Sequence, residues 1–349
     1  IIRYDPEKDE KYIEVTMEEK KLMVSVVIPN WNGKKYLRQC LKSLRQQDFR
    51  KFEIIVVDNG SEDDSVDMMK REFPEVKILR MRKNEGFCRA VNKGIHAAKA
   101  PYILLLNNDT RAEATFVKEM FRGIRRHKNC FSCQAKMIQK DYPDLIDDAG
   151  DFYSALGWAF ADGKGEPEWE HNNEKKIFSS CAGAAIYRKS ILDKIGLFDE
   201  SHFAYLEDLD LGYRAKRYGY ENWFLPKARV YHVGSGTTGS QYNKFKVHHS
   251  ARNNVYVIYK NMPVWQILWN LPFLTAGFCM KGLFFWKKGL ASEYWKGFFE
   301  GIHLCRNRKK VKYQEEDFAN CLNIQIELWK NIKKSVFRSG KNIKKVEKN

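Results

Sequence analysis

The 349-residue chain lacks the features that would place it outside ordinary globular proteins. Eight cysteines are too few and too irregularly spaced for a disulfide scaffold, which points to a reducing compartment. Cys130 and Cys133 form one C-x-x-C with no second pair to complete a structural zinc site, so two cysteines entering a buried strand is the simpler reading. Nine prolines and 22 glycines without a period exclude collagen-like and low-complexity chains. No uninterrupted apolar run reaches the roughly 20 residues of a membrane-spanning helix, and no secretory signal is visible. Acidic residues are the scarcer charge: 44 Asp and Glu against 61 Lys and Arg leave a net +17. That excess suits an anionic partner, whether nucleic acid, phosphorylated substrate or membrane surface. A nucleic-acid-binding protein is suggested by charge alone. An RNP-like motif and a recognisable recognition helix are missing, and the charge gathers after His303.

What is present is a regular alternation. After a charged, poorly periodic lead-in over residues 1–22, Val24–Ile28 is a β-branched run that stops at Pro29 and reads as a buried strand. Asn32 is placed to cap a helix with Tyr36, Leu37, Cys40, Leu41 and Leu44 on one face. A second strand, Ile54–Val57, ends at Asp58-Asn59-Gly60-Ser61, where Ser61 and Asp64 resemble a capping box. Val76–Met81, a helix from about Gly86 to Ala98, and Tyr102–Leu106 continue the cycle. Strand and helix at these intervals predict an α/β fold with a mostly parallel sheet flanked by helices. Ligands of such sheets bind beyond the carboxyl ends of the strands. Three of those ends carry small polar residues: Pro29-Asn30-Trp31-Asn32, Asp58-Asn59-Gly60-Ser61 and Asn107-Asn108-Asp109-Thr110. They would line one crevice. Between Asp147 and Glu174 a Gly- and acid-rich stretch looks like loops around a site.

Seven segments occur in a particular order: Ser25–Pro29, Asp58–Ser61, Asn84–Gly94, Asn107–Asp109, Gly196–Glu200, Glu207–Asp210 and His232. Together they resemble the family 2 glycosyltransferases, and within them the rhamnosyltransferase-type branch. The resemblance covers residues 23–262 and implies a GT-A, Rossmann-like domain there, with a nucleotide-sugar half over 23–130 and an acceptor half over 131–262. It implies an inverting transfer from a nucleoside-diphosphate sugar to an acceptor hydroxyl, aided by a divalent metal, Mg²⁺ or Mn²⁺. It further implies a lipid-linked or polysaccharide acceptor and a cytoplasmic enzyme at the inner face of the cell membrane.

Carried onto this chain, the resemblance sets the nucleotide against Pro29, Asn30, Asn32, Asp58 and Asn59. Asn84, Gly86 and Asn92 follow around the next helix start, with Asn108 and Asp109 on the donor. A carboxylate at a strand end suits ribose hydroxyls or a base N–H, because it accepts two hydrogen bonds. Gly86 either lets backbone approach the nucleotide or simply opens a helix. The usual Asp-x-Asp reads Asn107-Asn108-Asp109 here, so only Asp109 offers charge to a metal, with His232 as the further ligand. An imidazole suits Mn²⁺ better than Mg²⁺. Asp208 is implied as the base, with Glu207 and Asp210 orienting the acceptor. Glu207 and Asp210 stand one helical turn apart while Asp208 points about 100° away, so the three cannot share one role. Arg214 can pair with Asp210 at i,i+4. Arg252 and Lys260 either face a diphosphate or are ordinary solvated cations. A relative that binds nucleotide sugar without catalysis is the alternative, against which Asp109 and Asp208 speak.

Residues 263–349 read as a helical extension with a basic tail. Trp265, Trp269, Phe273, Phe278, Phe284, Phe285 and Trp286 crowd a segment that Pro272 divides, with Lys281, Lys287, Lys288 and Lys296 nearby. Two readings stand equal: a helix lying in the membrane interface, or a helical hairpin packed on the catalytic domain, at a homodimer contact.

Overall fold

The computed structural model describes residues 2–5, 10–13, 21–234, 242–306 and 308–346, with only the backbone course given for 2–5, 10–13 and 337–346. The described part of the lead-in forms an antiparallel ladder of β1 (Ile2–Asp5) and β2 (Glu10–Ile13), and most of the rest of 1–22 lies outside the described residues.

From Val24 strand and helix alternate as the periodicity predicts. They run β3 (Val24–Asn30), α1 (Lys34–Arg45), β4 (Phe52–Asp58), α2 (Ser65–Glu72), β5 (Lys77–Arg80), α3 (Phe87–Ala97) and β6 (Tyr102–Leu106). Strands β5, β4, β3 and β6 lie side by side and parallel. β3 runs on through Pro29 instead of stopping before it. Its ladder to β6 ends at Val27, so the missing N–H of proline breaks no bond on that side. Alternate residues serve opposite faces: Val24, Val26 and Ile28 pack with Leu37, Leu41 and Leu44 of α1, and Val27 packs with Val91 and Ile95 of α3. Each such buried side chain contributes roughly 1.5–3 kcal/mol, so both layers of helices are held by the same four strands.

The chain then runs through β7 (Thr110–Ala112), α4 (Phe116–Arg126), β8 (Cys130–Gln139), β9 (Ile146–Asp148), β10 (Asp151–Tyr153), β11 (Ala159–Ala161), β12 (Lys175–Ile177) and β13 (Ala184–Arg188). It continues with α5 (Lys189–Ile195), α6 (Glu207–Arg217), β14 (Glu221–His232), α7 (Lys244–Asn261), α8 (Val264–Lys287), α9 (Ala291–Arg306) and α10 (Phe318–Val346). This half extends the sheet by mixed pairing. β13 is antiparallel between β6 and β8, β14 is parallel to β8, and β12 is antiparallel on the outer side of β14. The sheet is therefore all-parallel in its first half and mixed in its second. β13 is reached without a crossover helix, and so enters from the opposite end. Short β7 pairs with β14, and β9 with β8. Cys130 and Cys133 sit buried in β8 with their sulfurs 3.2 Å apart, brought to one face by the irregularity between Cys130 and Ser132 in the ladder to β14. In the extension α8 runs unbroken through Pro272, where the sequence suggests a division. Buried Gln266, Asn270 and Leu274 pin its inner face, and the Thr275 hydroxyl donates to the Leu271 carbonyl at 2.8 Å. Among the described residues, α8 is the helix long and apolar enough to cross a membrane by length and composition.

Candidate active site

The site grows from the carboxyl ends of β3, β4 and β6. Parallel register puts Asn30 level with Asp58. The Asn30 amide donates to Asp58 at 3.4 Å and to Ser61 at 3.3 Å, while its oxygen accepts from Asn108 at 2.8 Å. Asp58 and Asn30 are buried, as are Asn108 and Asp109. The turns here differ from their local signals. Asn32 does not cap α1: it adopts a left-handed conformation, φ 49°, and its oxygen accepts from the Glu62 backbone at 2.8 Å. Ser61 likewise does not cap α2, because its hydroxyl accepts from Asn32 N–H at 2.9 Å. The two strand-end loops are thus knitted to each other, which fixes their spacing better than separate caps would.

Several residues expected at the nucleotide have their amides hydrogen-bonded within the surrounding loops. Asn59 donates to Asn84 at 3.0 Å and to the Gly86 carbonyl at 3.1 Å, and Asn84 accepts from Gly86 N–H at 3.0 Å. Asn92 is spent on both backbone groups of Phe198. Gly86 has φ +91°, and a Cβ there would fall 2.6 Å from the Phe203 ring, so its role is to seat Phe203 at the start of α3. Pro29 is half-buried in the strand beside Val57.

The second half of the sheet delivers His232. The antiparallel β7–β14 ladder sets His232 opposite Thr110, and Val233 N–H donates to the Asp109 carbonyl at 3.2 Å. The imidazole Nε2 then lies 3.2 Å from Asp109, and Nδ1 lies 2.7 Å from Asp147 on β9. Lys164 in turn donates to Asp147 at 2.6 Å. Burial alone would lower the proton affinity of His232, but the hydrogen bonds and charges of Asp109 and Asp147 carry it up to about 10. Asp147 is itself buried, yet His232 and Lys164 hold it well below the usual carboxylate range. The donor set fits a divalent ion. A carboxylate oxygen and an imidazole nitrogen face each other, and the second ring nitrogen is oriented by a carboxylate, the arrangement typical of metal-bound histidine. An ion with such mixed donors would take its remaining ligands from phosphate and water. Asp147 and Lys164 carry no motif of their own. The sequence signal was only the loop-like stretch that contains them.

The start of α6 brings a group of carboxylates. Glu207 is buried, one of its oxygens has no hydrogen-bond partner, and burial with the charge of Asp208 pushes its carboxyl up to about 8. Asp208 is partly exposed; burial raises it, while backbone N–H groups of Leu209, at 2.8 Å, and Ala182 pull the other way. Ala182 adjoins Gly183, whose carbonyl accepts from Asn107 N–H at 2.9 Å, so α6 meets the Asn107–Asp109 turn through two backbone steps. Asp210, expected to orient the acceptor, faces the interior. It is fully buried and bound by Arg214 at 2.8 Å, Lys260 at 2.9 Å and Asn261 at 2.8 Å, which is scaffold chemistry. Lys260 also reaches Asp199 at 2.7 Å. The Arg252 guanidinium is engaged by the Ser201 carbonyl at 2.9 Å, the Asn253 amide at 2.8 Å and Glu300 at 2.9 Å, tying α7 and α9 to the loop before α6. That loop has three non-glycine residues at positive φ, Phe203, Tyr205 and Leu206, and Asn253 holds its carbonyls at 202, 204 and 205.

Residues 25–196 match the family model of Glycosyl transferase family 2. Glycosyltransferase GlyG of Streptococcus pneumoniae is 26% identical over 186 residues, which are 52% of this chain and 60% of that protein. The N-acetylglucosaminyl-diphospho-decaprenol L-rhamnosyltransferase of Mycobacterium tuberculosis is 22% identical over 284 residues, 71% of this chain and 89% of the relative. The chain spans about 60% of the length of GlyG and of the Bacillus subtilis glycosyltransferase YfnE. Among solved structures, GalNAc-T7 with UDP, GalNAc and Mn²⁺ superposes with a TM-score of 0.56 at 18% identity, covering 73% of this chain and 50% of that one, a likeness of fold. Seven ordered motifs, the mixed sheet and these matches agree: residues 25–196 form a glycosyl transferase family 2 domain, and the chain has the GT-A fold.

Proposed function

We propose that the chain transfers a sugar from a nucleoside-diphosphate sugar to a hydroxyl of a lipid-linked or cell-surface polysaccharide acceptor, with inversion at the anomeric carbon. One observation carries the reading. Asp58, Asn30 and Asn108 are hydrogen-bonded in series, Asp109 follows next in the chain, and His232 and the α6 start with Asp208 adjoin the same edge. Asp58 and Asn30 supply the acceptor and donor groups that a nucleoside needs. Asp109 and His232 would hold a divalent ion, Mg²⁺ or Mn²⁺, whose charge would favour departure of the diphosphate. Asp208 takes the proton of the acceptor hydroxyl as its oxygen bonds to the anomeric carbon and the bond from that carbon to the diphosphate oxygen breaks. A carboxylate with raised proton affinity is the better base for this step. Glu207, neutral at pH 7, can donate a hydrogen bond beside it. The name of the Mycobacterium relative supports rhamnose as the sugar and a polyprenyl-diphosphate acceptor, and hence work in the cytoplasm at the inner face of the membrane.

The test is release of nucleoside diphosphate across a donor panel including dTDP-rhamnose and UDP-hexoses, with and without acceptor. Asp208→Asn should keep donor binding and lose on the order of 10²–10⁴ in turnover. Near-wild-type turnover would remove Asp208 as the base. A chain that binds a donor yet releases nothing would be a non-catalytic relative.

A further inference from the structure

Helix α8 has two unlike faces. Inward, Gln266, Asn270, Leu274 and Gly277 are buried. Gln266 accepts from the Tyr213 hydroxyl at 2.7 Å, Asn270 and Gln325 exchange hydrogen bonds at 2.7 and 2.8 Å, and the Gly277 carbonyl accepts from the Trp158 indole at 3.0 Å. A Cβ at position 277 would come 2.0 Å from the Leu156 carbonyl oxygen, so the helix lies tight on the protein. A helix wrapped in lipid would have no use for these side-chain partners.

Outward, Val264, Leu268, Leu271, Leu283 and Trp286 are each more than half exposed. With exposed Thr275 and Cys279 between them they follow one another at three- and four-residue steps, a single stripe about 33 Å long. Beside its end an apolar cavity of about 530 Å³ opens between α8 and α9, lined by Cys279, Gly282, Leu283, Trp286, Ala291 and Trp295. An unbroken apolar surface of this length on a folded protein marks an interaction site. Charge names the partner. Helices α8 and α9 and the turn between them hold Lys281, Lys287, Lys288, Lys296 and Arg306 against Glu293 and Glu300, a net +3, within an extension over 263–349 that is net +10. Tryptophan and lysine bordering an apolar stripe complement an anionic lipid surface, whereas a second copy of the same face would set like charges together.

We propose that the α8–α9 face docks on an anionic phospholipid bilayer, the helix lying in the interface with acyl chains entering the cavity beside Trp286. Tyr242 packs on Phe284 and Phe285 at the same end, with centroids 5.6 and 6.0 Å apart, and feels the charge of Lys164, the partner of Asp147. The surface itself does not rest on the transfer reaction.

The test is flotation of the full chain with phosphatidylcholine vesicles, with and without phosphatidylglycerol, for wild type, Asp208→Asn and the triple variant L268E/L283E/W286E. The three glutamates replace exposed side chains, so melting should be unchanged. Wild type and Asp208→Asn should float with anionic vesicles and release as salt rises. The triple variant should partition at least about tenfold less, since burial of one large apolar side chain is worth on the order of tenfold or more. Equal partition of the triple variant and wild type would overturn the proposal. So would a wild type that stays with the soluble fraction but forms a dimer which the triple variant splits. Because Asp208→Asn keeps the surface, its flotation separates a failure of docking from a failure of catalysis.

Discussion

Asp147→Asn changes one charge and almost no shape. The carboxylate accepts a hydrogen bond from Nδ1 of His232 at 2.7 Å and holds the ring with Nε2 directed at Asp109, 3.2 Å away. An amide in its place can still accept from Nδ1, but it no longer draws the proton with a full charge, and its NH₂ end can turn toward the ring instead. Loss of such a partner behind a metal-binding histidine typically weakens metal affinity 10- to 100-fold, or about 1.4–2.7 kcal/mol. Stability should move far less. Lys164, the other partner of Asp147, has a half-exposed side chain and can turn to water, so the lost ion pair is worth under about 1 kcal/mol. The assay is Mn²⁺ titration by calorimetry or electron paramagnetic resonance in the presence of nucleoside diphosphate, with His232→Ala as the reference for complete loss of the nitrogen ligand. Asp147→Asn should fall between wild type and His232→Ala with unchanged melting. An Mn²⁺ affinity within about twofold of wild type would refute the reasoning.

Glu207 is raised from the ordinary 4.5 to about 8, so the folded chain holds a proton that the unfolded chain releases, and stability should decline as pH rises from about 4.5 to 8. Melting of Glu207→Gln against pH should lack that part of the decline, and a slope identical to wild type would contradict the burial described. Asp210→Ala strands Arg214 and Lys260 without their shared carboxylate and should cost about 3–5 kcal/mol in urea unfolding, where a loss under 1 kcal/mol would show the network to be dispensable. Gly86→Ala adds a Cβ into Phe203 at a left-handed φ, and should destabilise by at least about 1 kcal/mol while lowering turnover through the loop that leads to Asp208; unchanged melting would show that the loop can yield.

The strands and their polar ends were legible because the signals are local: β-branched runs, each closed by Pro, Asn or Asp within a few residues. So was the i,i+4 pairing of Asp210 with Arg214. The antiparallel entry of β13 between β6 and β8 was not, since nothing in Ala184–Arg188 says which neighbours it takes. Lys260 illustrates the same limit from the other side. On the chain it is one more cation in a basic stretch, and in the fold it is the buried partner of Asp199 and Asp210. Asp147 was illegible because its meaning lies wholly in His232, 85 residues away. The loop hydrogen bonds of Asn59, Asn84 and Asn92 were equally hidden.

The pairing of β7 with β14 has a consequence for how the protein comes to work at all. Side chains on a strand alternate sides, so sliding β14 by a single residue would aim the imidazole away from Asp109 and bring Tyr231 or Val233 into its place. Correct threading of these two short segments and the meeting of His232 with Asp109 are therefore one event. A misassembled molecule would part His232 from Asp109 and Asp147 well before any gross change in shape.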